Sequence, residues 1–209
     1  DLEGISMCSV SGCVVLDRGA DRQKIARHYR AILERGAERG RDSAGVVAID
    51  DFGAARRVVR VSPQDYAFVF EAVTPQMSVM IGNNRAEPTT EYVHEKTDED
   101  VQPLGDEGVF VSHNGTIAND GLLRQQYAIA TRTRIDTSVC PALVRKLGVR
   151  SALDRLQGSY AIAVADTNQP CRLWLARNYK PLFVQQLPAL GALFFASRPE
   201  HLAPLGGFG

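Results

Sequence analysis

Apolar residues recur along this chain in short blocks, and their spacing sets the order of its elements. The run Cys8-Ser9-Val10-Ser11-Gly12-Cys13-Val14-Val15-Leu16 reads as a strand feeding a core. Asp21 and Arg22 then open a stretch in which Ile25, Tyr29, Ile32 and Leu33 fall at helical spacing, ending near Gly36; this predicts an amphipathic helix lying on a sheet. A Gly/Arg-rich loop, Arg39 to Gly45, leads into the apolar strand Val46-Val47-Ala48-Ile49, with Arg57 to Val61 as its hairpin partner. Met77 to Ile81 is a further short strand, expected to stop at Gly82-Asn83-Asn84-Arg85. The polar stretch Ala86 to Gly108 shows no period and reads as a long loop, a kind of segment that is usually functional or mobile.

Val109-Phe110-Val111 is again β-type, and it is expected to break at Ser112-His113-Asn114-Gly115, where the residues favour a turn. Asp136-Thr137 has the chemistry of a cap for a helix carrying Val139, Cys140, Leu143, Val144 and Leu147, with Pro141 tolerated because it lies early. The last third turns to strands at Tyr160 to Ala165, Arg172 to Ala176, Leu182 to Val184 and Leu193 to Ala196. All are apolar on both facings, as strands covered on both sides would be. Helices grouped between strands, rather than alternating with them, argue for an α+β architecture.

Composition bounds the function. With 209 residues, 44% hydrophobic and 23% charged, the chain suits one sizeable core. Lys+Arg and Asp+Glu both number 24, so no net field points to nucleic acid or an acidic membrane surface. No secretory signal or long apolar span is visible, which makes a reducing cytoplasm the expected location, with no membrane partner. Cysteines 8, 13, 140 and 171 are too dispersed for a metal pair, so no metal or cofactor is expected and the last three read as core thiols. The segment Asp1 to Ser6 reads as a cloning remnant ahead of an initiator Met7, or as a short propeptide, with residues 8–209 forming a single domain.

Cys8 directly follows Met7. Removing that methionine would place a thiol and a free α-amine on one residue, and an amine with a pKa of roughly 7.7–8.0 can take the thiol proton near neutral pH without a histidine. A buried strand cysteine is the other reading of position 8. Arg39 and Arg85 on glycine-bearing loops, the Asn114-Gly115 dipeptide and Asp136 are each ordinary in isolation.

Their order along the chain is more informative. An early Cys after Met, Arg39-Gly40-Arg41-Asp42-Ser43-Ala44-Gly45, a strand ending in an Arg loop, Ser112-His113-Asn114-Gly115, Asp136-Thr137, and Leu156-Gln157-Gly158-Ser159-Tyr160-Ala161 together resemble the class II glutamine amidotransferases. These are N-terminal-nucleophile hydrolases, and the similarity is nearest to the glutaminase domain of glucosamine-6-phosphate synthase. It runs from Cys8 to about Leu205. It implies a four-layer αββα sandwich that hydrolyses L-glutamine to glutamate and ammonia.

The resemblance also implies roles. Cys8 would form a γ-glutamyl thioester, with Asn114 and the Gly115 N–H as oxyanion hole. Arg85 would grip the substrate α-carboxylate and Asp136 its α-ammonium, while Arg39 organises the site beside the nucleophile. No synthase segment is seen, so a separate ammonia-accepting synthase is the expected partner. The loop after Arg85 departs from the family pattern: Ala86-Glu87-Pro88-Thr89-Thr90-Glu91 stands where an aromatic gate and histidine are usual. His113 reads as structural. Three rival readings stay open: a hydrolase of another γ-glutamyl or small amide, a non-catalytic regulatory relative, and a papain-type pair of Cys8 with His94 or His113.

Overall fold

The apolar blocks assemble into two antiparallel sheets. The structure, a computed structural model, describes residues 8–38, 42–61, 67–86 and 97–206. In chain order its elements are β1 (Ser9–Val15), α1 (Arg22–Gly36), β2 (Ser43–Asp50), β3 (Ala55–Val61), β4 (Met77–Arg85), β5 (Leu104–Asp106), β6 (Val109–Ile117), α2 (Asp120–Gln126), α3 (Val139–Leu147), α4 (Val149–Leu153), β7 (Gly158–Asp166), β8 (Leu173–Asn178), β9 (Phe183–Leu187) and β10 (Ala192–Ala196). The larger sheet runs β3-β2-β4-β1-β10-β9 and the smaller β5-β6-β7-β8.

Three apolar layers fix the stacking. Helix α1 starts where Asp21 accepts the Lys24 N–H at 3.0 Å, and its stripe of Ile25, Tyr29, Ile32 and Leu33 packs on Cys13, Val46, Met80 and Phe194 of the larger sheet. The opposite facing of that sheet carries Val10, Val14, Val47, Ile49, Val79, Ile81 and Phe195, which meet Ala163 and Ala165 of the smaller sheet. On the far side of the smaller sheet, Val111, Ile162 and Val164 pack against Leu123, Val139, Leu143 and Ala152 of α2, α3 and α4. Helix, sheet, sheet, helix is the expected αββα sandwich. Among the described residues no helix is long and apolar enough to cross a membrane.

The structure departs from the sequence reading mainly at strand ends. Strand β4 continues through Gly82-Asn83-Asn84 to Arg85, because β1 and β2 flank it and supply its backbone partners, with Ser9 opposite Asn84 and Ser43 opposite Arg85. Strand β6 likewise runs through His113, Asn114 and Gly115 to Ile117, paired residue by residue with β7. The segment read as one long loop contains β5, and α2 and α4 were not foreseen. β8 and β9 are edge strands, only half-buried or exposed, rather than covered on both sides. Cys13 and Cys140 are core thiols whose burial pushes their pKa well up, whereas Cys171 is exposed.

Within the larger sheet, Gly12 of β1 is closely flanked by its neighbours on β4 and β10: an added Cβ would lie 2.4 Å from the Met80 carbonyl oxygen and 2.3 Å from Cε1 of Phe195. Gly12→Ala should therefore cost about 1–3 kcal/mol by overpacking, read as a lower urea midpoint at unchanged slope. A loss under about 0.5 kcal/mol would mean that the Phe195 ring and the flanking strand yield easily here.

Candidate active site

Strand alternation decides which side chains meet where β1 begins and β4 ends. Val10 and Val14 point between the sheets, so Cys8, two residues before Val10, takes the same facing. The β1–β4 register sets Cys8 level with Arg85, and Val79 and Ile81 on the inner facing of β4 put Asn83 and Arg85 there too. The half-buried Cys8 thiol donates to the Ala86 carbonyl at 3.7 Å. From the smaller sheet, Ser112 donates to the Gly82 carbonyl at 2.9 Å, which fixes Ser112, and with it Asn114, as facing the larger sheet. Cys8, Arg85 and Asn114 therefore share one interlayer at one end of the sandwich. Arg39 lies outside the described residues.

The outer edge of β6 carries the next part of the site. Strand β5 pairs with β6 only as far as Leu104 opposite Val111. Beyond that point side chains replace the missing strand. The His113 N–H donates to Gln102 Oε1 at 2.6 Å, the His113 carbonyl accepts from Asn83 Nδ2 at 3.0 Å, and the Ile117 N–H donates to Asp136 Oδ2 at 2.7 Å. Alternation puts the Gly115 N–H on this edge, between the His113 and Ile117 groups. Gly115 has φ +124°, and a Cβ there would fall 2.0 Å from the Ser159 carbonyl oxygen, so only glycine holds this backbone. The side-chain nitrogen Nδ2 of Asn114 is buried with no hydrogen-bond partner. An unpaired buried amide donor costs roughly 1–3 kcal/mol, and such groups gather at functional sites.

The His113 ring points the other way, toward the helical layer. Its Nδ1 is 2.7 Å from Thr137 Oγ1, and Thr137 donates to Asp136 Oδ1 from both its hydroxyl, at 3.2 Å, and its N–H, at 2.7 Å. Asp136 was read as a helix cap. It instead opens a short 3-10 turn, Asp136–Ser138, ahead of α3, and its carboxylate is held by Ile117 and Thr137. His113 cannot serve Cys8 as a papain-type base, since it lies on the opposite facing of β6; His94 is outside the described residues. Burial pushes the His113 pKa down to about 4, with Asp136 opposing and the positive charges of Arg85 and Lys180 adding to the fall.

Gln102 and Asn83 were not foreseen as site residues. Asn83 does leave a trace in the sequence, as an amide interrupting an otherwise apolar strand. Gln102 leaves none, because its neighbours are brought to it only by the fold.

The depressed His113 pKa has a sign. The unfolded chain takes up the imidazole proton near pH 6.5 and the folded chain only near 4, so this residue costs stability progressively as pH falls through that window. The cost reaches on the order of 3 kcal/mol. His113→Gln should flatten the slope of unfolding free energy against pH between about 6.5 and 4 by close to one proton. An unchanged slope would contradict a neutral buried imidazole.

Comparison with known proteins places the chain in a family. The family described as glutamine amidotransferase domain matches residues 89–204, a span that holds Asn114, Gly115 and Asp136. Among curated proteins, 7-cyano-7-deazaguanine synthase 2 of Sulfurisphaera tokodaii is 38% identical over 93% of this chain and 44% of its own length. Glutamine–fructose-6-phosphate aminotransferase of Rhizobium meliloti is 30% identical over 95% of this chain and 33% of its own. The chain thus spans less than half the length of the curated relatives it matches. A solved structure of glutamine phosphoribosylpyrophosphate amidotransferase from B. subtilis, complexed with ADP and GMP, superposes with a TM-score of 0.71 at 22% identity, covering 95% of this chain and 44% of that one, and shares the fold. The chain belongs to the glutamine amidotransferase domain family.

Proposed function

We propose that the chain hydrolyses L-glutamine to glutamate and ammonia through a γ-glutamyl thioester on Cys8, and that a synthase partner accepts the ammonia. The observation that carries this reading is the buried, unpartnered amide nitrogen of Asn114 on the interlayer that Cys8 shares. Residues 8–209 act as one domain, and removal of residues 1–7 frees the Cys8 α-amine. The Cys8 sulfur attacks the side-chain amide carbon of glutamine while its proton passes to that amine. Negative charge develops on the amide oxygen, where Asn114 Nδ2 and the Gly115 N–H stabilise it. The protonated amine then gives its proton to the departing nitrogen, and ammonia leaves. Water, losing a proton to the same amine, attacks the thioester and releases glutamate and the thiol.

Arg85 pairs with the substrate α-carboxylate, for which a planar guanidinium offers two parallel donors. Asp136 accepts from the α-ammonium, and Arg39 organises the nucleophile's surroundings. Relatives at 36–38% identity are named 7-cyano-7-deazaguanine synthase. The nitrogen of a cyano group is at the oxidation level of ammonia, so a deazaguanine nitrile is a fitting destination for the product of this site.

Two measurements test the reading. Protein beginning at Cys8 should release glutamate from glutamine, while the chain retaining residues 1–7 should be nearly inactive, because a peptide bond turns the basic amine into a non-basic amide. Equal activity of the two forms would exclude the α-amine as base. Asn114→Ala should lower kcat by roughly 10²–10³-fold while Cys8 remains open to alkylation. Full activity in that variant would remove Asn114 from the oxyanion hole.

A further inference from the structure

Gln102 plays no part in the reaction steps above, yet the fold holds it on every side. It is 3% exposed, and the Arg57 guanidinium clamps both flanking carbonyls, donating to Val101 at 2.6 Å and to Pro103 at 2.8 Å. An added Cβ on Gly45 of β2 would lie 2.2 Å from the Gln102 carbonyl oxygen, so the backbone at 102 is pressed against the larger sheet. A side chain so anchored has a settled geometry to transmit.

The hydrogen bonds around it admit one arrangement. Gln102 Oε1 accepts the His113 N–H, which turns Nε2 toward Thr137 Oγ1 at 3.2 Å. The single proton of the Thr137 hydroxyl has two acceptors in reach, Asp136 Oδ1 at 3.2 Å and His113 Nδ1 at 2.7 Å. Giving it to the ring would put the imidazole proton on Nε2 as a buried N–H without an acceptor, a costlier orphan than a bare ring nitrogen, so the carboxylate takes it. Thr137 Oγ1 must then accept from both Gln102 Nε2 and His113 Nδ1, so the imidazole carries its proton on Nδ1. The other ring nitrogen, Nε2, is an acceptor, buried and without a partner.

We infer that Gln102 is a positioning residue: its amide locks the edge of β6 that presents Gly115 to the carboxylate Asp136 and holds His113 as the Nδ1–H tautomer. The inference rests on the glutaminase reading for what that edge and that carboxylate do. Substrate ammonium and developing oxyanion are then gripped by two ends of one braced unit, Asp136–Thr137–Gln102–His113. A shift at either end is resisted by the other.

The first arm of the test reads the unaltered protein, with one variant used only to assign a signal. Nitrogen NMR of the full chain labelled in histidine, with His113 assigned by its loss in His113→Asn, should show the Nδ1–H tautomer at pH 7. A proton on Nε2 overturns the inference, whether or not the protein turns out to be a glutaminase. The second arm uses Gln102→Glu, which keeps the shape and the acceptor toward His113 but, when ionised, loses the donor toward Thr137. Protonated, the same carboxyl donates again. The titratable groups that face it are the neutral His113, whose N–H it accepts, and Asp136 beyond Thr137, with the Arg57 guanidinium on its flanking carbonyls and Arg85 and Lys180 acting on His113.

The ratio of kcat/KM in this variant to that of the unaltered protein should be about tenfold down at pH 8 and climb toward one as the pH falls to about 5.5, with both proteins folded across the range. A ratio that stays flat with pH, or equals one at pH 8, overturns the positioning role. Inactivity of the unaltered protein on glutamine would instead fail the glutaminase reading, and leave the tautomer measurement to decide the brace.

Discussion

Past Val111 the outer edge of β6 has no neighbouring strand among the described residues, and the polar groups of that edge are buried between a sheet and a helical layer. Main-chain donors and acceptors in such a place must find partners or cost stability. Gln102, Asn83 and Asp136 take the role of the absent strand, one side chain per exposed group. The shape of the site follows from that substitution. Side chains, unlike a strand, can leave one N–H of the row to a ligand, the part that the proposed reaction gives to Gly115 in the row of His113, Gly115 and Ile117.

The interlayer shows the same logic in a graded form. Its centre is aliphatic, with Val10, Val47, Ile81 and Ala163 in contact, and it needs no polar partners. Toward the ends of β4 and β6 the inner facings change to Asn83, Arg85, Ser112 and Asn114. The polar end can be dense in hydrogen-bonding groups because the aliphatic centre already holds the sheets at a fixed separation. Stability and chemistry are thereby assigned to different stretches of the same strands.

Much of this was legible in the sequence, and the failures have a common cause. The long apolar blocks gave β1, α1, β7 and β10 nearly in place, since their burial depends on local pattern alone. Strands β4 and β6 were cut short at Gly82-Asn83-Asn84-Arg85 and Ser112-His113-Asn114-Gly115, because glycine and asparagine at a strand end have the composition of a turn. Here those residues stay paired in their ladders, Gly115 at φ +124°, because flanking strands supply partners that a turn would not need. The order of Cys8, Arg85, Asn114-Gly115 and Asp136 along the chain pointed to one site, and alternation and register bring Cys8, Arg85 and Asn114 to one interlayer, with Gly115 and Asp136 on the adjoining edge of β6. Gln102 was invisible, since its importance comes from Arg57, Thr137 and His113, all distant in sequence.

Gly45 touches no reacting group and bears no functional atom, yet it sets how deeply the segment around Gln102 seats against the larger sheet. It is a spacer. A protein of this kind can be detuned by degrees, through a backbone distance, while every chemical group of its site stays in the sequence. Drift in activity between relatives with identical site residues then has a physical origin at positions that a comparison of those residues alone would pass over.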